Sequence, residues 1–240
     1  MLDLLGELDR TAAELAEVFD SVDPSAAVPS CPGWTVADLA LHIGSGQRWS
    51  ASVLLSGREQ QRPEVLLTTI SWSDWYAGTT AALLAAIRAV DPAEPCWNFA
   101  PVDQRAAFWP RRRLHETTIH LVDAHQAAGR TTDGISPVVA ADGVDEVFEV
   151  FMPRVLARGF APAVTRRMGV LAVDTGDAWT LTPGEGAPGV ERGRADGDIV
   201  LSGRAEDLLL ALWKRIPPAQ LTIEGDQQVA ADFFAQRVTS

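Results

Sequence analysis

The stretch Pro110-Arg-Arg-Arg-Leu-His-Glu-Thr-Thr-Ile-His-Leu-Val-Asp-Ala-His-Gln-Ala-Ala-Gly129 reads as a single helix. Proline suits its first turn, glycine closes it, and no breaker interrupts it. Glu116 and His120 are four apart, so at ~100° per residue they lie within ~40° of each other, one turn apart on one face. Three similar segments precede it. Leu4, Leu5, Leu8, Ala12, Leu15 and Phe19 recur at three- and four-residue spacing, which predicts an amphipathic helix ending before Pro24. Thr35 with Asp38 three residues on is a capping-box signature, in its shorter-acid form, for a second helix running to about Ser56. Trp72 to Val90, with Leu83, Leu84, Ile87 and Val90 as the apolar side and Asp91-Pro92 as the stop, predicts a third. Four helices with moderately short connections predict an antiparallel four-helix bundle.

Downstream, Ala141 to about Arg158 is another helical segment, interrupted by Pro153 and ended by Gly159. The character then changes. Met168 to Val173, Ala178 to Thr182, Ile199 to Ser202 and Leu221 to Glu224 are short strand-like runs, with the Gly/Pro-rich Pro183 to Gly189 between them. Helices over Ala205 to Lys214 and Gln227 to Arg237 are interleaved. The chain is therefore expected to be mainly α, with a helical domain over 1–160 followed by a small α+β domain over 165–240.

Composition narrows the function. Lys plus Arg number 20 against 32 Asp plus Glu, a net charge of −12, and the only lysine is Lys214. Such a chain repels a phosphate backbone, and its one basic cluster, Arg111 to Arg113, sits beside Glu116, where local ion pairing is the simpler reading; nucleic acid is not an expected partner. Acids near the N-terminus in place of a basic signal region, and no apolar run of ~18–20 residues, point to a cytoplasmic protein without a membrane span. With 47% hydrophobic residues the chain can build a real core, and two distant cysteines, Cys31 and Cys96, make neither a disulfide framework nor a zinc ribbon.

Histidine chemistry must come from positions 42, 115, 120 and 125. His115 and His125 do not share the Glu116–His120 face. A third ligand to an ion on that face would have to come from a neighbouring helix, and His42, between Leu39 and Ile43, is the remaining histidine. Two imidazoles and one carboxylate leave an open position on a divalent metal, as in a catalytic site. The same Glu/His pair also suits a surface ion pair, and His42 also suits a hydrogen-bonded core position. The spacing is not that of an HExxH zincin, and there is no P-loop, GxGxxG or GxSxG motif; Gly44-Ser45-Gly46 fits close helix packing. Cys31 reads as a structural thiol. Trp34, Trp49 and Trp109 are near enough in sequence to the candidate ligands to line a cavity mouth.

Cys31-Pro-Gly-Trp-Thr-Val-Ala-Asp-Leu-Ala-Leu-His42, Arg112-Arg-Leu-His-Glu116-Thr-Thr-Ile-His120-Leu-Val-Asp123 and Ala141-Asp-Gly-Val-Asp-Glu146 together resemble the mycothiol-dependent maleylpyruvate isomerase family, a DinB-like metal-binding group. Asp198 to Gly203, Asp207 to Trp213 and Ile223 to Asp226 are similar to that family's C-terminal domain. The resemblance implies a DinB-like four-helix bundle, a divalent metal, usually zinc, on His42, Glu116 and His120, and mycothiol as cosubstrate. A thiol at a dication is deprotonated and becomes a nucleophile at neutral pH.

The implied activity is either cis/trans isomerisation of the maleylpyruvate type or S-transfer to an electrophilic small molecule. A dianionic substrate calls for arginines, and Arg48, Arg112 and Arg215 are the candidates, although Arg112 equally suits a partner to Glu116 and the other two suit solvated positions. Asp123, three residues after His120, is placed to orient that imidazole. Two other readings use the same residues: a non-catalytic DinB-like binding or regulatory protein, and a metal-dependent hydrolase acting through bound water.

Overall fold

A computed structural model describes residues 2–63, 71–100, 102–130, 134–160, 164–184 and 187–239. Its first compact unit contains α1 (Leu4–Ser21), α2 (Val36–Ser56), α3 (Trp72–Ala89) and α4 (Phe108–Ala127). Helix α1 packs against α3 and α4, and α2 against the same two. Their apolar stripes meet in a shared core of Leu15, Phe19, Leu39, Ile43, Tyr76 and Leu121. The expected Thr35–Asp38 capping box starts α2, and Gly57 ends it in the left-handed conformation at φ 67°. Helix α4 begins two residues before Pro110, which leaves the proline in the first turn, where no intrahelical N–H is needed. Among the described residues no helix is long and apolar enough to cross a membrane.

The second unit begins with α5 (Pro137–Glu146), a π turn (Val147–Phe151) and α6 (Met152–Ala157). The expected interruption at Pro153 takes the form of this π turn: Met152 N–H donates to Val147 O, so the helix widens just ahead of the proline instead of breaking. The sequence reading placed this segment at the end of the helical domain, but it groups with the sheet. Helix α5 packs against α7 (Ala205–Leu212), Trp179 Nε1 donates to Asp145 at 2.6 Å, and Arg192 pairs with Asp145 at 2.8 Å and with Glu149.

The sheet has the order β3-β2-β1-β4-β5, built from β1 (Met168–Ala172), β2 (Ala178–Thr182), β3 (Gly189–Arg192), β4 (Ile199–Gly203) and β5 (Thr222–Gly225). Only β1 and β4 pair in parallel. Strand β3 was not expected. Gly189 opens it instead of ending a loop, and its residues are mostly exposed on a sheet edge, where no apolar alternation marks them. Helix α8 (Gln227–Ala235) completes the unit.

Candidate metal centre

The centre is built in the first unit between α2, α4 and the turn that precedes α2. In that turn Trp34 N–H donates to Cys31 O at 3.0 Å, with Pro32 and Gly33 (φ 84°) at the two central positions. Proline fixes the first of these and only glycine readily takes the second, so Pro-Gly makes a type II turn here. The turn is fastened to α4 through Asp123, a carboxylate with no exposed surface. Ser30 Oγ donates to Asp123 Oδ1 at 2.6 Å, and the Cys31 thiol lies 3.5 Å from Oδ2. Trp34 stacks at a tilt over His42, with ring centroids 4.9 Å apart.

His42 on α2 faces Glu116 and His120 on α4. One donor atom from each of the three lies within 4.8 Å of the others. His42 Nε2 is 3.4 Å from Glu116 Oε1, and the rings of His42 and His120 are 5.2 Å apart. Two ligands at ~2.0–2.1 Å from a tetrahedral ion stand about 3.3 Å apart, so the His42–Glu116 spacing suits a shared cation. Asp123 Oδ2 lies 2.8 Å from His120 Nδ1, the kind of carboxylate contact that orients a metal-ligating histidine. Burial first, then the charges of Arg62, Arg113 and Arg112, opposed by Asp123, depress the His42 pKa to about 4, so its ring is neutral at pH 7 and its lone pair available. The donor set therefore fits a divalent cation. Cys31, His120 and Asp123 form a second group of donors within the same distance, sharing His120.

The two oxygens of Glu116 are differently engaged. Oε1 faces His42, while Oε2 pairs with Arg113 and lies 3.5 Å from Arg112 Nε. Both arginines are buried, with side chains 3% and 4% exposed, and they hold the carboxylate in place. The basic cluster thus pairs locally, as its position beside Glu116 suggested. Space for Arg113 comes from α2: a Cβ on Gly46 would lie 2.5 Å from its NH1, and one on Gly44 would enter the Trp75 indole. The Gly-Ser-Gly run is close packing, as expected.

The other expected site residues divide. Trp34 lies against His42. Trp49 is half-buried, and Trp109 is wholly buried, its Nε1 donating to Trp97 O at 3.1 Å, so it forms core beneath Trp49 and not a cavity mouth. Arg48 is exposed. Arg215 belongs to the second unit, where its NH1 donates to Trp213 O at 2.7 Å and it lines a cavity of about 380 Å³ with Lys214, Ile216 and Phe234. His125 pairs with Glu14 at 3.1 Å, away from the cluster. What the sequence does not show is the pair of bonds that Ser30 and Cys31 make to Asp123, which join residues about ninety positions apart and leave no local signal.

A helical unit carrying a His/Glu/His cluster, followed by a small α/β unit, defines a class of two-domain proteins built around one interhelical centre. Residues 5–125 match the model of the mycothiol maleylpyruvate isomerase N-terminal domain and residues 138–232 that of the family's C-terminal domain. The chain belongs to the mycothiol-dependent maleylpyruvate isomerase family, a family of enzymes. The crystal structure of the mycothiol-dependent maleylpyruvate isomerase superposes with a TM-score of 0.63 at 14% identity over 92% of each chain. That of a histidine-to-alanine mutant gives 0.62 at 13% identity over 92% of each. At this identity the likeness speaks for the fold. No curated protein matches the sequence significantly.

Proposed function

We propose that this chain is a metal-dependent isomerase of the maleylpyruvate type that uses mycothiol as a catalytic cosubstrate. The observation that carries the reading is the convergence of His42, Glu116 and His120 from two helices in a chain whose two halves both match the isomerase family. His42, Glu116 and His120 would hold the cation, zinc being the expected one. When bound, it supplies a positive centre that favours the thiolate form of a thiol at neutral pH.

The chain's own residues prepare that site. Asp123 orients the His120 imidazole, Arg113 and Arg112 fix Glu116 through Oε2, and burial together with three arginines keeps His42 unprotonated. Trp34 covers one side of His42. In the proposed reaction the mycothiol sulfur adds to the cis double bond, the resulting single bond rotates, and expulsion of the thiol leaves the trans isomer.

The test is turnover of maleylpyruvate by purified, zinc-loaded protein with and without mycothiol. Loss of the maleylpyruvate absorbance that needs mycothiol but does not consume it supports isomerisation. Stoichiometric consumption of thiol assigns S-transfer instead, turnover without thiol assigns a hydrolase, and no change under any condition overturns the isomerase reading.

A further inference from the structure

The cations beside the candidate ligands are not equivalent. Arg112 and Arg113 are buried and both engage Glu116, so most of their charge is compensated inside the protein. Arg62 is exposed, and no ion pair to it is found among the described residues; its Cζ lies 5.2 Å from the centroid of the Trp49 ring. An indole orients a guanidinium through its quadrupole without cancelling the charge, whereas a carboxylate partner would cancel it. An arginine held in this way keeps its charge for a ligand.

The indole is itself fixed. Trp49 Nε1 donates to Gln60 O at 2.7 Å, which ties the segment after α2 back onto the helix two residues before Arg62. Gln60 Nε2 donates to Ser56 Oγ at 3.1 Å, and Trp97 N–H donates to Gly57 O at 3.1 Å. Trp97 and Trp109 meet the Trp49 ring edge to face, with centroids 5.9 and 5.2 Å away. Along α2, His42 and Trp49 are seven residues apart and so fall within ~20° of each other, separated by ~10 Å along the axis. Arg62, laid over Trp49, thus shares a side of α2 with His42. In a chain of net charge −12, a dianionic ligand needs such a local cation.

We propose that Arg62, laid over Trp49, binds a carboxylate of the small-molecule electrophile while its reacting end lies at the His42–Glu116–His120 cluster. The proposal rests on the isomerase reading for its ligand class. Arginine suits the role because its planar fork meets a carboxylate through two parallel hydrogen bonds.

The experiment titrates maleate, as a non-reacting dicarboxylate probe, into the zinc-loaded full chain by calorimetry, comparing wild type with Arg62→Gln and Arg62→Lys. Maleate affinity is expected to fall at least tenfold in Arg62→Gln and less in Arg62→Lys, with zinc content equal in all three. Maleylpyruvate turnover is followed separately, where Arg62→Gln is expected to raise KM for maleylpyruvate and leave KM for mycothiol unchanged. Equal maleate affinity in wild type and Arg62→Gln, or no maleate binding by wild type, overturns the proposal. If wild type turns over no maleylpyruvate but binds maleate in an Arg62-dependent way, the anion site stands and the isomerase reading fails.

Discussion

Replacing Gly46 by alanine separates the integrity of the metal centre from that of the fold. The new Cβ would sit 2.5 Å from Arg113 NH1, about 0.9 Å inside ordinary van der Waals contact, and 3.6 Å from Glu116 Oε1. The obstructing atom is the end of a long side chain, so the guanidinium can swing away and the helices need not part. Overpacking costs ~1–3 kcal/mol, and alanine regains about 1 kcal/mol over glycine in a helix interior. The net loss is thus about 0–2 kcal/mol, and at ~2–4 °C per kcal/mol for a chain of this size the melting point should fall by less than ~8 °C. The centre suffers more. Glu116 Oε2 loses its Arg113 partner, and removing a group that orients a ligand typically weakens metal binding ~10–100-fold. The assay is zinc competition against a chromophoric chelator, paired with thermal unfolding of the metal-free protein. Gly44→Ala is the control: its Cβ would enter the rigid, buried Trp75 indole, so it should cost ~1–3 kcal/mol of stability and leave zinc affinity unchanged. Unaltered zinc affinity in a folded Gly46→Ala protein would refute the assignment of Arg113 as the support of Glu116.

Three further outcomes are expected. Asp123→Asn keeps the side-chain shape but removes the anionic acceptor of His120, Ser30 and Cys31, and should lower zinc affinity ~10–100-fold, as read by the same competition assay. Lys214 is the only non-glycine residue with positive φ (59°) among those described, and it sits where a Schellman cap prefers glycine, its N–H donating to Ala211 O at 3.0 Å and that of Arg215 to Leu210 O at 2.8 Å; Lys214→Gly should stabilise the protein by up to ~1 kcal/mol in chemical unfolding. In metal-free protein the His42 ring should titrate near pH 4 by NMR, against the usual 6.5. Because the folded pKa is the lower one, the unfolded chain binds more protons between these values, so the contribution of this group to stability is complete above pH 6.5 and is lost as pH falls from 6.5 toward 4.

Much of this architecture is legible in the sequence because its signals are local. The Thr35–Asp38 box, the stop at Asp91-Pro92 and the i,i+4 spacing of Glu116 and His120 each depend on residues within one or two turns. His42 followed by elimination, since few histidines exist to choose from. What escaped depends on tertiary placement. The α5 segment groups with the sheet through Asp145, Glu149 and Arg192, residues that look like ordinary surface charges until the fold joins them. Strand β3, with the polar run Gly189-Val-Glu-Arg192, is held by its pairing with β2 and not by any pattern of its own. Trp109 is indistinguishable in sequence from Trp34, yet one is core and the other covers His42. Arg62 gains its position because Trp49 bonds to Gln60, eleven residues further along the chain, a contact between a helix and the loop beyond it.

The most direct measurement is metal analysis combined with mycothiol calorimetry on wild type and His42→Ala. The account requires one divalent metal per chain in wild type, loss of that metal in His42→Ala, and mycothiol binding only by the metal-loaded form. A wild-type protein that takes up no metal and binds no mycothiol, while remaining folded, would contradict it and make the His42–Glu116–His120 cluster a structural feature of the helices.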